Sequence, residues 1–280
     1  MNASSYFLTT SDLRRLGYTV ERIRAEIALG LLERVIRGWY CRPGAPRAVV
    51  RAMRLGGRLS CVSALALLGA WCPPDVGPHI GFPSHASGRR LTRGRAAVPD
   101  GTVSHWHPKA AETGSAYVVA PLARAVEDLL LCQPPWSVVA VLDSLLHKRL
   151  VQRNRLDALL LAGPVRTRPL ASSLNAASES GIESIVRFGL ATAGVVAVIQ
   201  VVFREQYRLD LEIDGWLVLE IDGRRPHTVE GAFTRDRVRA ATIMRDGKVV
   251  LQFAYATVMY DWDFVLAAVL DVMRQHAPVR

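Results

Sequence analysis

Four acidic residues in the last hundred residues of the chain have the types and spacing that phosphodiester chemistry uses. Asp210 lies inside one strand-like apolar run, whereas Glu220 and Asp222 lie at the end of the next run. Glu183 lies on a helical run before them, and a short turn at 214–215 would set Asp210 beside Glu220. Acids inside apolar strands are costly unless a cation pairs with them. We expect Mg²⁺, which takes oxygen ligands, polarises a phosphate and activates an attacking water.

The elements that must position these acids follow one another in an informative order. We predict helix, three strands, helix, strand and helix at 180–191, 195–203, 207–213, 216–221, 230–245, 248–253 and 262–274. This order resembles the common core of the PD-(D/E)xK nucleases. The resemblance implies a restriction-endonuclease-like α/β core.

The motifs along this segment resemble a more specific group, the very-short-patch-repair-like endonucleases and the related domain of unknown function 559. The shared points stand here as Glu183-Ser184, Arg208-Leu-Asp210, Val218-Leu-Glu220-Ile-Asp222-Gly223, His227, Phe233-Thr-Arg235-Asp236-Arg237-Val-Arg239 and Gly247-Lys-Val-Val-Leu-Gln-Phe253. They cover about a quarter of the chain.

This resemblance implies a role for each matching acid. Asp210 corresponds to the central metal ligand. Glu220 or Asp222, together with the Ile221 carbonyl, completes the ligand set. Glu183 corresponds to an orienting or ligand acid carried by the helix. Mg²⁺ is the implied cofactor, and Mn²⁺ is expected to substitute for it.

The resemblance also implies roles for basic residues, with one departure from the family pattern. His227 corresponds to a water activator or transition-state donor. Asp222 stands where the family usually has a lysine, so charge stabilisation falls to Arg235, Arg237 or Arg239. Arginine stabilises a phosphorane but is a poor general base at neutral pH.

The charge of the chain favours a polyanionic partner. Lysine and arginine number 35 against 25 acids, for a net charge of +10. Residues 1–60 hold eleven arginines and four acids, a net charge of +7 (11 − 4). Such an excess favours nucleic acid through counterion release. Only three of the basic residues are lysines, and genome base composition can also produce an arginine bias.

The first 60 residues have the order of a winged helix. One helix capped by Ser11 and ended by Gly17 is followed by a helix over 19–30 and a hairpin over 31–42 interrupted by Gly38. In this order the second helix enters the major groove and the wing lies on the phosphate backbone. We expect DNA contacts from arginines of this segment and of the last one: Arg22, Arg24, Arg34, Arg37, Arg42, Arg237 and Arg239.

The same segment resembles the amino-terminal domain of the AbiEi family of type IV toxin–antitoxin antitoxins. The shared line stands here as Leu13-Arg-Arg-Leu-Gly17 and Gly30-Leu-Leu-Glu-Arg-Val-Ile-Arg-Gly-Trp-Tyr40. It implies DNA binding in a toxin–antitoxin or phage-defence context, with an unknown toxin as a further partner. The alternative is a helical packing domain with a solvated basic face.

The middle of the chain carries histidines and cysteines without the spacing of a metal site. Strands are predicted at 79–83 and 103–107, and His105 and His107 share one side of the second strand without a third ligand at matching spacing. The four cysteines form no CxxC pair, so we expect reduced thiols without chemistry. Helices are predicted over 59–71, 121–131, 136–146 and 154–161, and a linker over 163–173.

Together these patterns predict an α+β protein in three segments. They are a winged-helix domain over 1–60, a mixed, mostly helical middle region over 61–165 and a nuclease-like core over 174–280. No signal peptide and no apolar run of about 18 residues is present, which predicts a cytoplasmic protein without membrane contact.

Two functions fit these features. The first is a Mg²⁺-dependent endonuclease that hydrolyses DNA, and a homodimer is compatible with it. The alternative is a non-enzymatic DNA-binding transcriptional repressor or antitoxin that keeps an inactive nuclease fold for docking or dimerisation. The intact acids favour the enzyme, whereas the missing lysine favours the repressor.

Overall fold

The computed structural model of the chain describes residues 3–74, 77–84, 101–107, 118–205, 207–222 and 232–276. Within them the fold is mixed α and β, as predicted. Contacts divide the chain into two compact units, Met1–Gln133 with Ala162–Pro164 and Pro134–Leu161 with Val165–Arg280. The three segments expected from the sequence stay a prediction. Within the described ranges, no helix combines the length and apolar character needed to cross a bilayer.

The first unit begins with two short helices and a small antiparallel sheet. Its elements are β1 (Phe7–Thr9), α1 (Thr10–Arg15), α2 (Val20–Ala28), β2 (Glu33–Ile36), β3 (Trp39–Cys41) and α3 (Arg47–Arg54). The strands lie in the order β1-β3-β2. Leu13, Ile23 and Leu32 form the core between the helices and the hairpin. The helix–helix–hairpin order agrees with the sequence pattern, to which the structure adds β1.

The cap of α1 differs from the prediction, because Thr9 rather than Ser11 caps the helix. The Asp12 amide donates to Thr9 Oγ1 at 3.0 Å, and the Thr9 amide donates to Asp12 Oδ2 at 2.8 Å. This capping box satisfies two amide groups at once, and the helix begins two residues earlier than a cap at Ser11 would allow. Gly17, with a φ of +77°, follows the helix end as predicted.

The rest of the first unit is a second three-stranded sheet with two helices. Its elements are β4 (Arg58–Leu59), α4 (Cys61–Leu67), β5 (His79–Pro83), β6 (Val103–His107) and α5 (Leu122–Cys132). The order is β4-β5-β6, with β5 and β6 parallel. Both long strands have the predicted bounds. Helix α4 is shorter than expected because Arg58 and Leu59 pair with β5 instead.

The second unit follows the element order expected from the sequence, with one short additional helix between the last strand and the last helix. Its elements are α6 (Pro135–His147), α7 (Arg153–Ala162), α8 (Gly181–Thr192), β7 (Ala197–Phe203), β8 (Tyr207–Ile213), β9 (Leu217–Asp222), α9 (Ala232–Arg245), β10 (Val249–Ala254), α10 (Tyr255–Tyr260) and α11 (Trp262–His276). The sheet order is β10-β9-β8-β7, with β7, β8 and β9 antiparallel and β10 parallel to β9. Helix α8 packs against α6, α10 and the first two strands.

The segment expected to be a linker is instead an ordered 3-10 helix, Val165–Ser173. Thr167 and Leu170 are buried in it. Arg153 donates hydrogen bonds from its guanidinium to the carbonyls of Ala171 and Leu174. These contacts fix a stretch whose prolines and arginines had suggested an irregular connection.

Candidate functional site

The strand pair β8–β9 positions Asp210 and Glu220. Its antiparallel register pairs Leu211 with Leu219, the pair next to Asp210 and Glu220. The Ile221 amide donates a hydrogen bond to Asp210 Oδ2 at 2.8 Å, which ties the Asp210 side chain to β9 just beyond this pair. The charge of Asp210 also acts on the Glu220 carboxyl group, so the two acids lie near each other at this end of the ladder.

Burial and mutual repulsion perturb both carboxyl groups. Burial raises the pKa of Asp210 to about 6, and the nearby Glu183 carboxylate raises it further, against the hydrogen bond from Ile221. Burial raises the pKa of Glu220 to about 7, and the charge of Asp210 contributes to this rise. Arg239 opposes the shift at both acids. Such coupled, desolvated acids are typical of functional sites.

Glu183 is held rigidly at the start of α8. Ser180 caps this helix and donates its hydroxyl to Glu183 Oε1 at 2.7 Å. The Glu179 amide and the Gln200 side chain donate to Oε2 at 3.1 and 2.9 Å. Both carboxylate oxygens therefore already accept hydrogen bonds from the protein. Of the two roles predicted for Glu183, this arrangement favours the orienting one.

Gln200 is a site residue that the sequence analysis missed. It has a φ of +54°, in the left-handed region, and interrupts the ladder between the pairs Ile199–Leu211 and Val201–Leu209. By the same register it stands opposite Asp210. Left-handed backbone costs about 1–3 kcal/mol in residues other than glycine and clusters at functional sites. The one signal in the sequence is a single polar residue within the apolar run 197–203.

Arg239 brings a cation to the acids. Its Nη2 atom lies 2.8 Å from both carboxylate oxygens of Glu220 and also donates to the carbonyl of Arg208. Arg239 belongs to α9, the helix that connects the parallel strands β9 and β10. One of the three arginines expected to replace the family lysine thus contacts an acid of the site.

The other predicted site residues are less completely described. Asp222 is exposed as the last residue of β9. Ile221 contributes its amide to the site, and a role for its carbonyl as a metal ligand stays a prediction. His227 lies outside the described residues. Arg235 and Arg237 lie in α9, but their side chains are outside the described part of the structure.

Five of the seven arginines expected to contact DNA lie on the surface of the first unit, and the other two, Arg237 and Arg239, belong to α9 of the second unit. Arg22 and Arg24 lie on α2, Arg34 on β2, Arg37 in the hairpin turn and Arg42 just after β3. All five are exposed. Arg22 also stacks over the Tyr18 ring and pairs with Glu26 at 3.1 Å.

A close group of side chains that could bind a metal lies in the first unit, whereas the sequence predicted a metal site in the second. Among the described residues, one set of three or more His, Cys, Asp or Glu side chains brings its ligand atoms within 4.8 Å of one another, and it lies in the first unit: Cys61, His79, His105 and Cys132. Glu183, Asp210 and Glu220 do not converge this closely. The expectation that the cysteines are scattered thiols is therefore wrong for two of them, because folding brings them together with two histidines.

We expect Asp210→Asn to stabilise the metal-free protein at about pH 8. The amide keeps an acceptor for the Ile221 N–H but removes the charge that repels Glu220 and Glu183. Because folding raises the pKa of Asp210 to about 6 from 3.8, its ionisation opposes folding above this range. The gain, on the order of 2 kcal/mol, should be complete above about pH 7 and fade as the pH falls towards 3.8. Thermal unfolding in EDTA at about pH 8 and pH 4.5 measures it.

The matched control for this prediction is Glu212→Gln on the same strand. Glu212 accepts a hydrogen bond from Lys248 Nζ at 2.5 Å. Its replacement removes a favourable contact, so no gain is expected. A melting temperature of Asp210→Asn equal to or below that of the wild type at pH 8 would show that repulsion at Asp210 does not weaken the fold.

Comparison with known proteins assigns no family. No protein-family model and no curated protein matches the chain. The resemblances to nucleases and antitoxins therefore depend on the motifs themselves and stay predictions.

Proposed function

We propose that the second unit is a metal-dependent endonuclease domain that hydrolyses DNA phosphodiester bonds, and that the first unit supplies DNA affinity. The observation that carries this proposal is the pair of desolvated, neighbouring acids Asp210 and Glu220 beside the Leu211–Leu219 pair of the β8–β9 ladder. Each has a raised pKa, and the charge of Asp210 raises that of Glu220. Such a pair is expensive to keep ionised without a cation, which argues for a role beyond folding.

The donor atoms of this pair fit Mg²⁺, with Mn²⁺ as a substitute. All are carboxylate oxygens, the ligands that Mg²⁺ prefers. The Ile221 amide occupies Oδ2 of Asp210, which leaves Oδ1 as the ligand atom. Asp210 and Glu220 would hold the ion. When bound, the metal would polarise the scissile phosphate and lower the pKa of an attacking water.

The other residues of the site have supporting roles in this proposal. The Ile221 amide fixes the orientation of the Asp210 carboxylate through its hydrogen bond to Oδ2. Glu183 and Gln200 brace the neighbouring strand through their 2.9 Å hydrogen bond. Arg239 supplies positive charge beside Glu220, where it can stabilise the charge that develops on the phosphate in the transition state.

A second function is favoured by one specific contact. Arg239 forms an ion pair with Glu220. Its guanidinium therefore already supplies some of the positive charge that a metal ion would bring to the acids. Asp222 stands at the position of the family lysine. An acid pair neutralised in this way is compatible with an inactive nuclease fold, in a DNA-binding transcriptional repressor or antitoxin with an unknown toxin partner.

Incubation with supercoiled plasmid separates the two functions. The wild-type chain is expected to nick or linearise the plasmid in Mg²⁺ or Mn²⁺ and to leave it intact in EDTA. Glu212→Gln, prepared in parallel, should cleave like the wild type because its carboxylate is engaged by Lys248. Protein that binds DNA but leaves every substrate intact in both metals would favour the repressor.

A further inference from the structure

Four side chains of the first unit bring two sulfur and two nitrogen atoms together. Cys61 begins α4, His79 begins β5, His105 lies in β6 and Cys132 ends α5. His79 Nδ1 lies 3.1 Å from His105 Nε2 and 3.8 Å from Cys132 Sγ, and all four ligand atoms lie within 4.8 Å of one another. A tetrahedral zinc ion, with bonds of about 2.0 Å to nitrogen and 2.3 Å to sulfur, spaces its ligands about 3.3 to 3.8 Å apart. The cluster therefore has nearly the size of a zinc site.

A buried carboxylate stands behind one of the imidazoles. Asp128, which is 2% exposed, places Oδ1 3.8 Å from His105 Nδ1, the ring nitrogen that does not face His79. Ser60 donates a hydrogen bond to the other Asp128 oxygen, and His107 Nε2 lies 3.2 Å from it. A proton held on Nδ1 towards the carboxylate leaves the Nε2 lone pair directed into the cluster. Metal-binding histidines commonly have this carboxylate partner.

The surroundings suit the protonation states that metal binding needs. Burial, reinforced by His105, lowers the pKa of His79 to about 4, and burial also lowers the pKa of His105. The Gln133 side-chain amide donates to Cys132 Sγ at 3.4 Å, so this sulfur already accepts a hydrogen bond from outside the cluster. Burial raises the pKa of the Cys61 thiol, so a metal would displace its proton.

A hydrogen bond between two core histidines is the plainer explanation of the contact between His79 and His105. It does not account for the two sulfur atoms that approach the same point. It also does not account for the backbone of Cys61, which has a φ of +48°. This left-handed conformation costs about 1–3 kcal/mol in a residue with a side chain and needs a compensating interaction.

We propose that one zinc ion binds in a structural site formed by Cys61, His79, His105 and Cys132. All four positions are protein ligands, which is the pattern of structural rather than catalytic zinc. Thiolate and imidazole ligands select zinc over Mg²⁺, so this site is distinct in chemistry from the acidic pair of the second unit. The ion would link α4 and α5 to the parallel pair β5–β6.

The test begins with the metal content of the full chain purified without chelator. We expect about one zinc per chain on denaturation, and after exchange with Co²⁺ the visible bands of a tetrahedral ion with a thiolate charge-transfer band. Cys132→Ser removes one sulfur ligand at the least buried position. It should roughly halve the charge-transfer band and weaken zinc binding by more than the tenfold to hundredfold that an outer-shell change costs.

Cys41→Ser is the control, because it makes the same substitution at a cysteine in β3, outside the cluster. It should keep the zinc and the cobalt spectrum of the wild type. Asp128→Asn tests the positioning of His105 and should weaken zinc binding about tenfold to hundredfold in competition with a chelator. A folded wild-type chain without zinc and without the cobalt spectrum would overturn the proposal, as would Cys132→Ser that binds zinc like the wild type. If Cys132→Ser fails to fold, the spectrum of the wild type decides.

Discussion

Asp210→Ala and Glu220→Ala are each expected to reduce plasmid cleavage by about a thousandfold, the upper end of what a single electrostatic contact to a transition state contributes. Both acids belong to one ligand pair, so removal of either one disables the unit. The double variant should therefore be no worse than either single variant. DNA affinity should stay within about twofold of the wild type, because the exposed arginines of the first unit remain.

Folding defects can be separated from loss of chemistry in this series. Asp210→Ala relieves repulsion but leaves the Ile221 amide without its acceptor, and Glu220→Ala leaves Arg239 without its carboxylate, so the melting temperature of each variant in EDTA is measured beside its cleavage rate. The ion pair between Glu220 and Arg239 makes Asp210→Ala the cleaner test, since this substitution leaves that pair intact. Unchanged nicking by Asp210→Ala would assign the activity to another site, and additive losses in the double variant would argue against a shared metal.

The strands around the candidate site could be predicted from local sequence because their patterns are strong. Run 217–222 is apolar until its last residues, and run 207–213 alternates buried and part-exposed positions, as a strand with one buried face does. The turn at 214–215 then fixes the register that pairs Leu211 with Leu219 and so brings Asp210 near Glu220. The order of the strands and their register therefore bring the two acids together, and no knowledge of long-range packing is needed to predict this.

Other features of this site depend on tertiary structure. The sequence around Gln200 does not require its left-handed conformation. That conformation depends on the position of Gln200 between Asp210 and Glu183, to which its side chain donates a hydrogen bond. The contact of Arg239 with Glu220 depends on the path of α9 back to β10. The motif marks three arginines on this helix but does not distinguish which one reaches the acids.

The Cys/His cluster is the clearest case of a site without a local signature. Zinc sites recognised from sequence have ligands in close pairs, whereas these four ligands come from four separate elements. The parallel pairing of β5 with β6 sets His79 and His105 on neighbouring strands. The packing of α4 against α5 then brings in Cys61 and Cys132. Only the fold supplies the spacing, so a search for short motifs does not find it.

Replacement of Arg34, Arg37 and Arg42 by alanine is expected to flatten the salt dependence of DNA binding. Each arginine that neutralises a phosphate contributes about 0.9 to the slope of log K against log salt, so the slope should fall by between two and three. The affinity should drop several hundredfold at about 0.1 M salt by the same relation. These residues lie on the hairpin β2–β3 or just beyond it, and all are exposed. Titration of a labelled duplex at several salt concentrations measures both quantities.

The control for this variant is the double substitution Arg47→Ala and Arg54→Ala. Both side chains are exposed arginines of the same unit, but they share the carboxylate of Glu33 at 2.5 and 2.7 Å. Their charges are already partly neutralised, and exposed ion pairs contribute little to stability, so the slope should change much less. An unchanged slope in the triple variant would remove the hairpin from the DNA interface. If the hairpin contacts DNA specifically, the triple variant should lose more of the slope than the double variant. Equal losses of slope in both variants would instead indicate attraction of DNA to the overall charge of the unit.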